Sequence, residues 1–175
     1  MELPKINPLL KFSFTMKESF KAGVSFGLVS GVLTTLGLLI GLGVSTQSKV
    51  AVIGGILTIA IADALSDSFG VHLSQEAAGD RSHKHVWEAT IATFLSKFLF
   101  ALTFLIPITL FDMKTAIIVS GVWGLSVIIL LSFEISKSNG AGKKEILAVI
   151  SEHLILFLMV VASSYLVGLL IDKYF

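Results

Sequence analysis

Two aspartates, Asp63 and Asp67, lie inside a hydrophobic run that extends from Val50 to Glu76. An ionised carboxylate near the middle of a membrane-spanning helix costs about 2.5–3.5 kcal/mol even on a lenient insertion scale. Acids in such positions usually have a partner or a function. Because the two aspartates are four residues apart, a helix places them on one face, where they can bind one cation or share one proton.

The same spacing recurs one to two turns further along, where His72 and Glu76 approach the end of the run. We predict that these two side chains form the cytoplasmic entrance to the aspartates. Carboxylate oxygens together with one imidazole suit hard or borderline divalent ions such as Mn²⁺ or Fe²⁺. The four residues are therefore candidate metal ligands.

Composition identifies the class of protein that must position these residues. The chain has 175 residues, of which 54% are hydrophobic and 14% are charged, and its mean hydropathy is +0.90. These values are typical of an integral membrane protein. The net charge of +1 offers no basic surface for nucleic acid, and the absence of cysteine excludes disulfides and thiolate ligands. No nucleophile elbow, phosphate-binding loop or zincin motif occurs, so we expect neither an enzyme nor a permanently bound cofactor.

About 20 apolar residues are needed to cross the hydrocarbon layer. Five segments meet this requirement, which predicts one all-α membrane domain over residues 1–175 that contacts lipid along its length. An interfacial N-terminal helix over about residues 8–20 should precede the first span. The predicted spans are about 22–43, 50–75, 88–111, 115–135 and 145–171.

The basic residues of the connectors predict the orientation. The connectors on one side of the membrane contain nine lysine and arginine residues. Those on the other side contain three, Lys49, Lys114 and Lys173. An excess of lysine and arginine marks the cytoplasmic side. We therefore expect a multi-pass protein with a cytoplasmic N-terminus, located in the cell membrane if the organism is a prokaryote. The nine are Lys5, Lys11, Lys17, Lys21, Arg81, Lys84, Lys137, Lys143 and Lys144.

Depth along the helices groups four ionisable residues. A rise of 1.5 Å per residue places Asp67 about 12 Å from the cytoplasmic helix end and Asp63 about 18 Å. The same rise places Lys97 of the third span at about 13 Å and Glu152 of the fifth at about 10 Å. We predict that Glu152 and His153 complete the metal site or relay protons. Alternatively, Lys97 neutralises Asp67 as a structural counter-ion.

Small residues and one proline constrain the packing of these helices. The first span contains the pairs Gly27 with Gly31 and Gly37 with Gly41, at a spacing that allows close helix approach. We favour packing within one chain over dimerisation for these pairs. Pro107 should kink the third span or mark its last turns.

Four segments, in this order, resemble the vacuolar iron transporter family. They are FGLVSG at 26–31, ALSDSFGVHLS at 64–74, LIPITLF at 105–111 and SSYLVGLL at 163–170. The resemblance implies a homodimer with five spanning helices that exports Fe²⁺ or Mn²⁺ from the cytosol in exchange for protons. The chain departs from the family pattern at Phe26, where an aspartate is usual, and at Asp67, where a methionine is usual. The cytoplasmic metal-binding extension of some members is absent.

Two hypotheses follow. In the first, the protein is a proton-coupled transporter of Fe²⁺ or Mn²⁺, with Lys97 competing electrostatically at the site. Its metal ligands would be Asp63, Asp67, His72, Glu76, Glu152 and His153, with Glu152 also relaying protons. In the second, a membrane protein of the same fold transports nothing, and Asp67 with Lys97 is a structural pair.

Overall fold

The computed structural model describes the backbone of residues 8–79 and 83–175. Side chains are described for the same ranges except in residues 8–17. Of the basic residues that predict the orientation, Lys5 and Arg81 therefore lie outside the described residues, and the side chains of Lys11 and Lys17 are not described. All regular structure in the described ranges is helical. The helices are α1 Pro8–Thr46, α2 Lys49–Ala77, α3 His83–Thr103, α4 Leu105–Leu110, α5 Met113–Ser138 and α6 Lys143–Tyr174.

Five stretches of these helices are long and apolar enough to cross a membrane. They coincide with the five predicted spans and extend them by a few residues at the ends, except that the third ends at Leu110, one residue before its predicted end. This confirms the all-helical class and the number of spans, and it is the architecture of a multi-pass membrane protein. The predicted interfacial segment at 8–20 is the beginning of α1, which continues without a break into the first span. The five stretches are Glu18–Thr46, Lys49–Ala77, His83–Leu110, Met113–Ser138 and Lys143–Tyr174.

Short capped turns join the spans on the side where α1 ends. Ser48 precedes α2, and its hydroxyl accepts a hydrogen bond from the Ala51 backbone N–H at 3.3 Å. Asp112 plays the same part for α5 by accepting from the backbone N–H of Thr115 at 3.1 Å. Hydrogen bonding by Thr115, first from its side chain and then from its backbone, lowers the pKa of Asp112 below the ordinary value of 3.8. Each cap satisfies a backbone donor that the helix itself leaves unpaired.

The third span is interrupted near its far end. α3 ends at Thr103, Phe104 forms a turn, and α4 continues over Leu105–Leu110. Pro107 follows the break by three residues, and a proline ring clashes with the carbonyl four residues before it. The prediction that Pro107 kinks the third span or marks its last turns is therefore confirmed. The indole N–H of Trp123 in α5 donates to Thr103 Oγ1 at 3.1 Å, which ties α5 to the interrupted span.

α1 is the central helix of the bundle, since it packs against α2, α3, α5 and α6. Its glycines face helices of the same chain. A Cβ on Gly27 would lie 2.6 Å from the Thr93 carbonyl oxygen of α3, and one on Gly37 would lie 3.0 Å from Ser164 Oγ of α6. The four glycines of the predicted pairs thus allow internal helix packing, as favoured from the sequence.

Candidate functional site

The functional candidate is a cluster of charged and polar side chains from three helices. Lys97 of α3 extends its ammonium group to α2, where Nζ lies 2.6 Å from Asp63 Oδ2 and also contacts Asp67 Oδ2. The contact with Asp63 has the distance of an ion pair but not the angles of a hydrogen bond. Ser30 of α1 completes the cluster: it accepts from Lys97 Nζ at 2.8 Å and donates to Asp67 Oδ2.

Burial makes this cluster electrostatically significant. Lys97 is only 1% exposed and is among the largest fully buried side chains of the described residues. The side chains of Asp63 and Asp67 keep 30% and 23% of their surface exposed. In a poorly solvated setting, the attraction between opposite charges is far stronger than in water. Two carboxylates facing one ammonium leave one net negative charge.

Close helix packing allows Lys97 to reach across the bundle. Gly31 of α1 lies against the backbone and the first side-chain carbons of Lys97, so that a Cβ there would be 3.3 Å from the Lys97 carbonyl oxygen. One turn earlier, Gly27 lies against Thr93 and Ser96. On α2, the four-residue spacing directs both aspartates to the same side. The predicted proximity of Asp63, Asp67 and Lys97 is therefore present in the structure.

An open groove between α1 and α2 borders the cluster at Asp63. Its volume is about 460 Å³, and Asp63 lines it. The remaining lining residues are Thr34, Leu38, Ile59, Ala62 and Ser66. Asp63 is the one member of the cluster among these lining residues, so a small cation in this space would meet Asp63 before the Lys97 ammonium.

His72 and Glu76 form a separate contact nearer the end of α2. His72 Nε2 lies 3.3 Å from Glu76 Oε1, and its Nδ1 lies 3.0 Å from Thr90 Oγ1 of α3. The His72 ring also packs edge-on against Trp87 at 4.9 Å between ring centroids. Both predicted entrance residues thus share one end of the α2–α3 pair, and the imidazole is held by neighbours on both ring nitrogens.

Glu152 and His153 lie elsewhere in the bundle. His153 Nδ1 of α6 is 2.7 Å from Ser132 Oγ of α5. Glu152 is exposed on α6. The reason is the helix arrangement: α6 packs on α1 and α5, whereas α2 packs mainly on α1 and α3. The expected similarity in depth gave no information on which side of α1 each helix lies.

The six predicted ligands do not form a single group. Within the described ranges, no three His, Asp or Glu side chains are close enough together to hold a metal ion. The structure instead brings two of the predicted ligands, Asp63 and Asp67, together with Lys97. Ligation of a metal by these residues therefore stays a prediction.

Ser30 is the member of the cluster that sequence reasoning missed. It lies nine residues after Lys21, which is a rise of about 13 Å and matches the depth expected for Lys97. The depth of Ser30 along its helix was thus a signal, available from the sequence, that Ser30 could meet Lys97. Serines are frequent in membrane helices, where most hydrogen-bond a carbonyl of their own helix, so the residue type alone did not distinguish Ser30.

Comparisons with protein-family models, with curated proteins and with solved structures find no match to this chain.

Proposed function

We propose that this protein is a secondary transporter whose cation site is the cluster of Asp63, Asp67 and Lys97. One observation carries the proposal: a lysine that is 1% exposed contacts two carboxylates, one of which lines an opening between α1 and α2. Ionisable residues inside membrane segments usually mark the path of an ion or a proton. A site with one net negative charge attracts a cation.

Competition between the cation and Lys97 supplies the mechanism. Lys97 Nζ occupies the oxygens that an entering cation would need. A cation that binds Asp63 and Asp67 must displace the ammonium, and departure of the cation allows it to return. A resident competitor weakens binding, which favours release, as transport requires. The transported cation is substrate and not a resident cofactor.

The identity of the ion follows from the ligand type and from the resemblance to vacuolar iron transporters. Carboxylate oxygens accept Mn²⁺ and Fe²⁺. We therefore propose export of one of these ions from the cytosol in exchange for protons. His72 and Glu76 would form the entrance, and Glu152 with His153 would relay protons. The N-terminus would be cytoplasmic, and the protein a homodimer in the cell membrane if the organism is a prokaryote.

Transport by reconstituted protein tests the proposal. Proteoliposomes are given Fe²⁺ or Mn²⁺, with Ca²⁺ and Mg²⁺ as comparison ions, while an internal dye reports pH. We expect metal uptake coupled to proton movement, and Asp67→Asn should abolish it, because the site loses the carboxylate that Lys97 and Ser30 hold. Asp172→Asn, at the exposed end of α6, is the matched control and should transport normally. Full uptake by Asp67→Asn would refute the assignment.

A second function is favoured by a specific contact. Asp67 Oδ2 contacts both Lys97 Nζ and Ser30 Oγ, so its partners join α1, α2 and α3 without any ion. In this alternative the cluster is structural and the protein transports nothing. Folded protein that moves none of the four ions would support it.

A further inference from the structure

A second cleft, between α1 and α5, is independent of the aspartate cluster. Its volume is about 450 Å³, and its mouth carries two opposite charges, Lys21 of α1 and Glu134 of α5. Both side chains are exposed, and within the described residues no ion pair joins them. Ser25 and Asn139 add further polar groups to the wall. The mouth therefore presents a cation and an anion, each available to an external group.

The inner wall of the cleft is apolar. Leu131 and Ile135 of α5 line the cleft, and they also line a smaller adjoining cavity of about 50 Å³. Val29 and Leu33 continue the apolar surface along α1 into that cavity. Ser132 and His153 also line that cavity, but they are hydrogen-bonded to each other. The space thus combines a mouth that has one positive and one negative side chain with a largely apolar interior, which matches a molecule with a polar head and an apolar tail.

We propose that this cleft binds a phospholipid with an ethanolamine headgroup. Such a headgroup carries one phosphate and one primary ammonium. Lys21 would bind the phosphate, Glu134 would accept hydrogen bonds from the ammonium, and the acyl region would lie against Leu131 and Ile135. Charge-assisted hydrogen bonds of this kind are roughly twice as strong as those between neutral groups.

Headgroup chemistry separates this lipid from its alternatives. A glycerol headgroup has the phosphate but no cation, so its neutral hydroxyl groups would give Glu134 weaker hydrogen bonds and place the carboxylate beside an uncompensated negative charge. A choline headgroup has both charges, but its quaternary nitrogen has no N–H to donate to Glu134. A cleft with only basic residues would instead favour anionic lipids. The acidic residue in the mouth is therefore the specificity determinant.

Lipid binding to the delipidated 175-residue chain in detergent tests this proposal. Native mass spectrometry measures the binding of ethanolamine, choline and glycerol phospholipids with identical acyl chains. We expect the ethanolamine lipid to bind most tightly. Lys21→Gln and Glu134→Gln should each weaken its binding roughly tenfold, as expected for loss of one hydrogen bond to a charged group. In addition, Glu134→Gln should improve binding of the glycerol lipid.

The chain offers matched controls in the same helices. Lys137→Gln removes a lysine that lies 5.5 Å from the Phe133 ring centroid and lines neither cavity, and Glu18→Gln removes an exposed acid one turn before Lys21. Both should leave lipid preference unchanged. Equal binding of all three lipids, or tighter binding of the glycerol lipid by the unmodified chain, would overturn the proposal. Dissociation of an oligomer in the Lys21 and Glu134 variants would also overturn it, because the cleft would then be an interface between copies.

Discussion

At the scale of single residues, the decisive feature is the unequal number of charges around Lys97. Two carboxylates share one ammonium, so the three residues are not equivalent. Removal of Asp67 leaves Lys97 with Asp63 as a partner. Removal of Lys97 leaves two adjacent carboxylates without a cation. The structure thus predicts that loss of Lys97 and loss of Asp67 have unequal effects on stability. In a simple pair of Asp67 with Lys97, the two losses would have similar effects.

We expect Lys97→Met to destabilise the protein much more than Asp67→Asn. Removing one partner of a buried ion pair costs about 3–5 kcal/mol, and the low end applies here because both acids keep some exposure. The triple variant that adds Asp63→Asn and Asp67→Asn to Lys97→Met should recover most of the loss. Thermal unfolding in detergent measures the effect.

The control for this series is Lys173→Met, which removes a lysine at the exposed end of α6. Its unfolding temperature should match that of the unmodified chain. If Lys97→Met were no less stable than Asp67→Asn, the two carboxylates would not depend on the ammonium, and our description of the cluster would be incorrect.

At the scale of helices, the packing of α1 on α3 positions Ser30 and Lys97. The glycines of α1 bring the two backbones close together, and Gly27 faces the Thr93 carbonyl oxygen at a distance that leaves no room for a methyl group. By contrast, no atom outside the local backbone of α2 lies within 4 Å of a Cβ built on Gly54. The same substitution should therefore have opposite effects at these two positions.

We expect Gly27→Ala to destabilise the protein by about 1–3 kcal/mol, because the added methyl group overpacks the α1–α3 contact. Gly54→Ala should be neutral or slightly stabilising, since alanine has less conformational freedom than glycine in the unfolded chain. Thermal unfolding of the two single variants compares them directly. Equal unfolding temperatures for the two variants would show that the α1–α3 contact accommodates a methyl group at Gly27, which would contradict the close packing described here.

At the scale of the whole molecule, sequence reasoning predicted the spans but not their arrangement. Hydrophobic length fixes the number of spans because the bilayer sets how many apolar residues a helix needs. The break before Pro107 followed equally from local stereochemistry. The position of His153 did not follow from the sequence, because depth along a helix is a one-dimensional property and does not say which helices are neighbours.

The candidate site was also predictable only in part: the residues that share a helix face or a depth followed from the sequence, but the residues that meet did not. Asp63 and Asp67 share a face because of helix geometry alone, and Lys97 matched them in depth. Glu152 also matched in depth, yet α6 packs on α1 and α5. Which of four residues at one depth meet is decided by the order of helices around α1, and this order depends on side-chain packing along entire helices.

The α2–α3 ion pairs also bear on how the protein is made. Lys97 follows Asp67 by 30 residues in the chain, so α2 with its two carboxylates leaves the ribosome before their counter-ion. Each unpaired acid costs about 2.5–3.5 kcal/mol at the centre of a membrane helix. α2 should therefore enter the bilayer efficiently only together with α3, as a helical hairpin.

Glycosylation mapping of truncated chains checks this expectation. A chain that ends at residue 82 should insert α2 poorly, whereas one that ends at residue 111 should insert it fully. Asp63→Leu with Asp67→Leu should restore insertion of the shorter chain. Equal insertion of the two unmodified lengths would show that α2 needs no counter-ion at this stage. If instead the shorter chain inserts α2 poorly, insertion of this span depends on a lysine that has not yet been translated when α2 is complete.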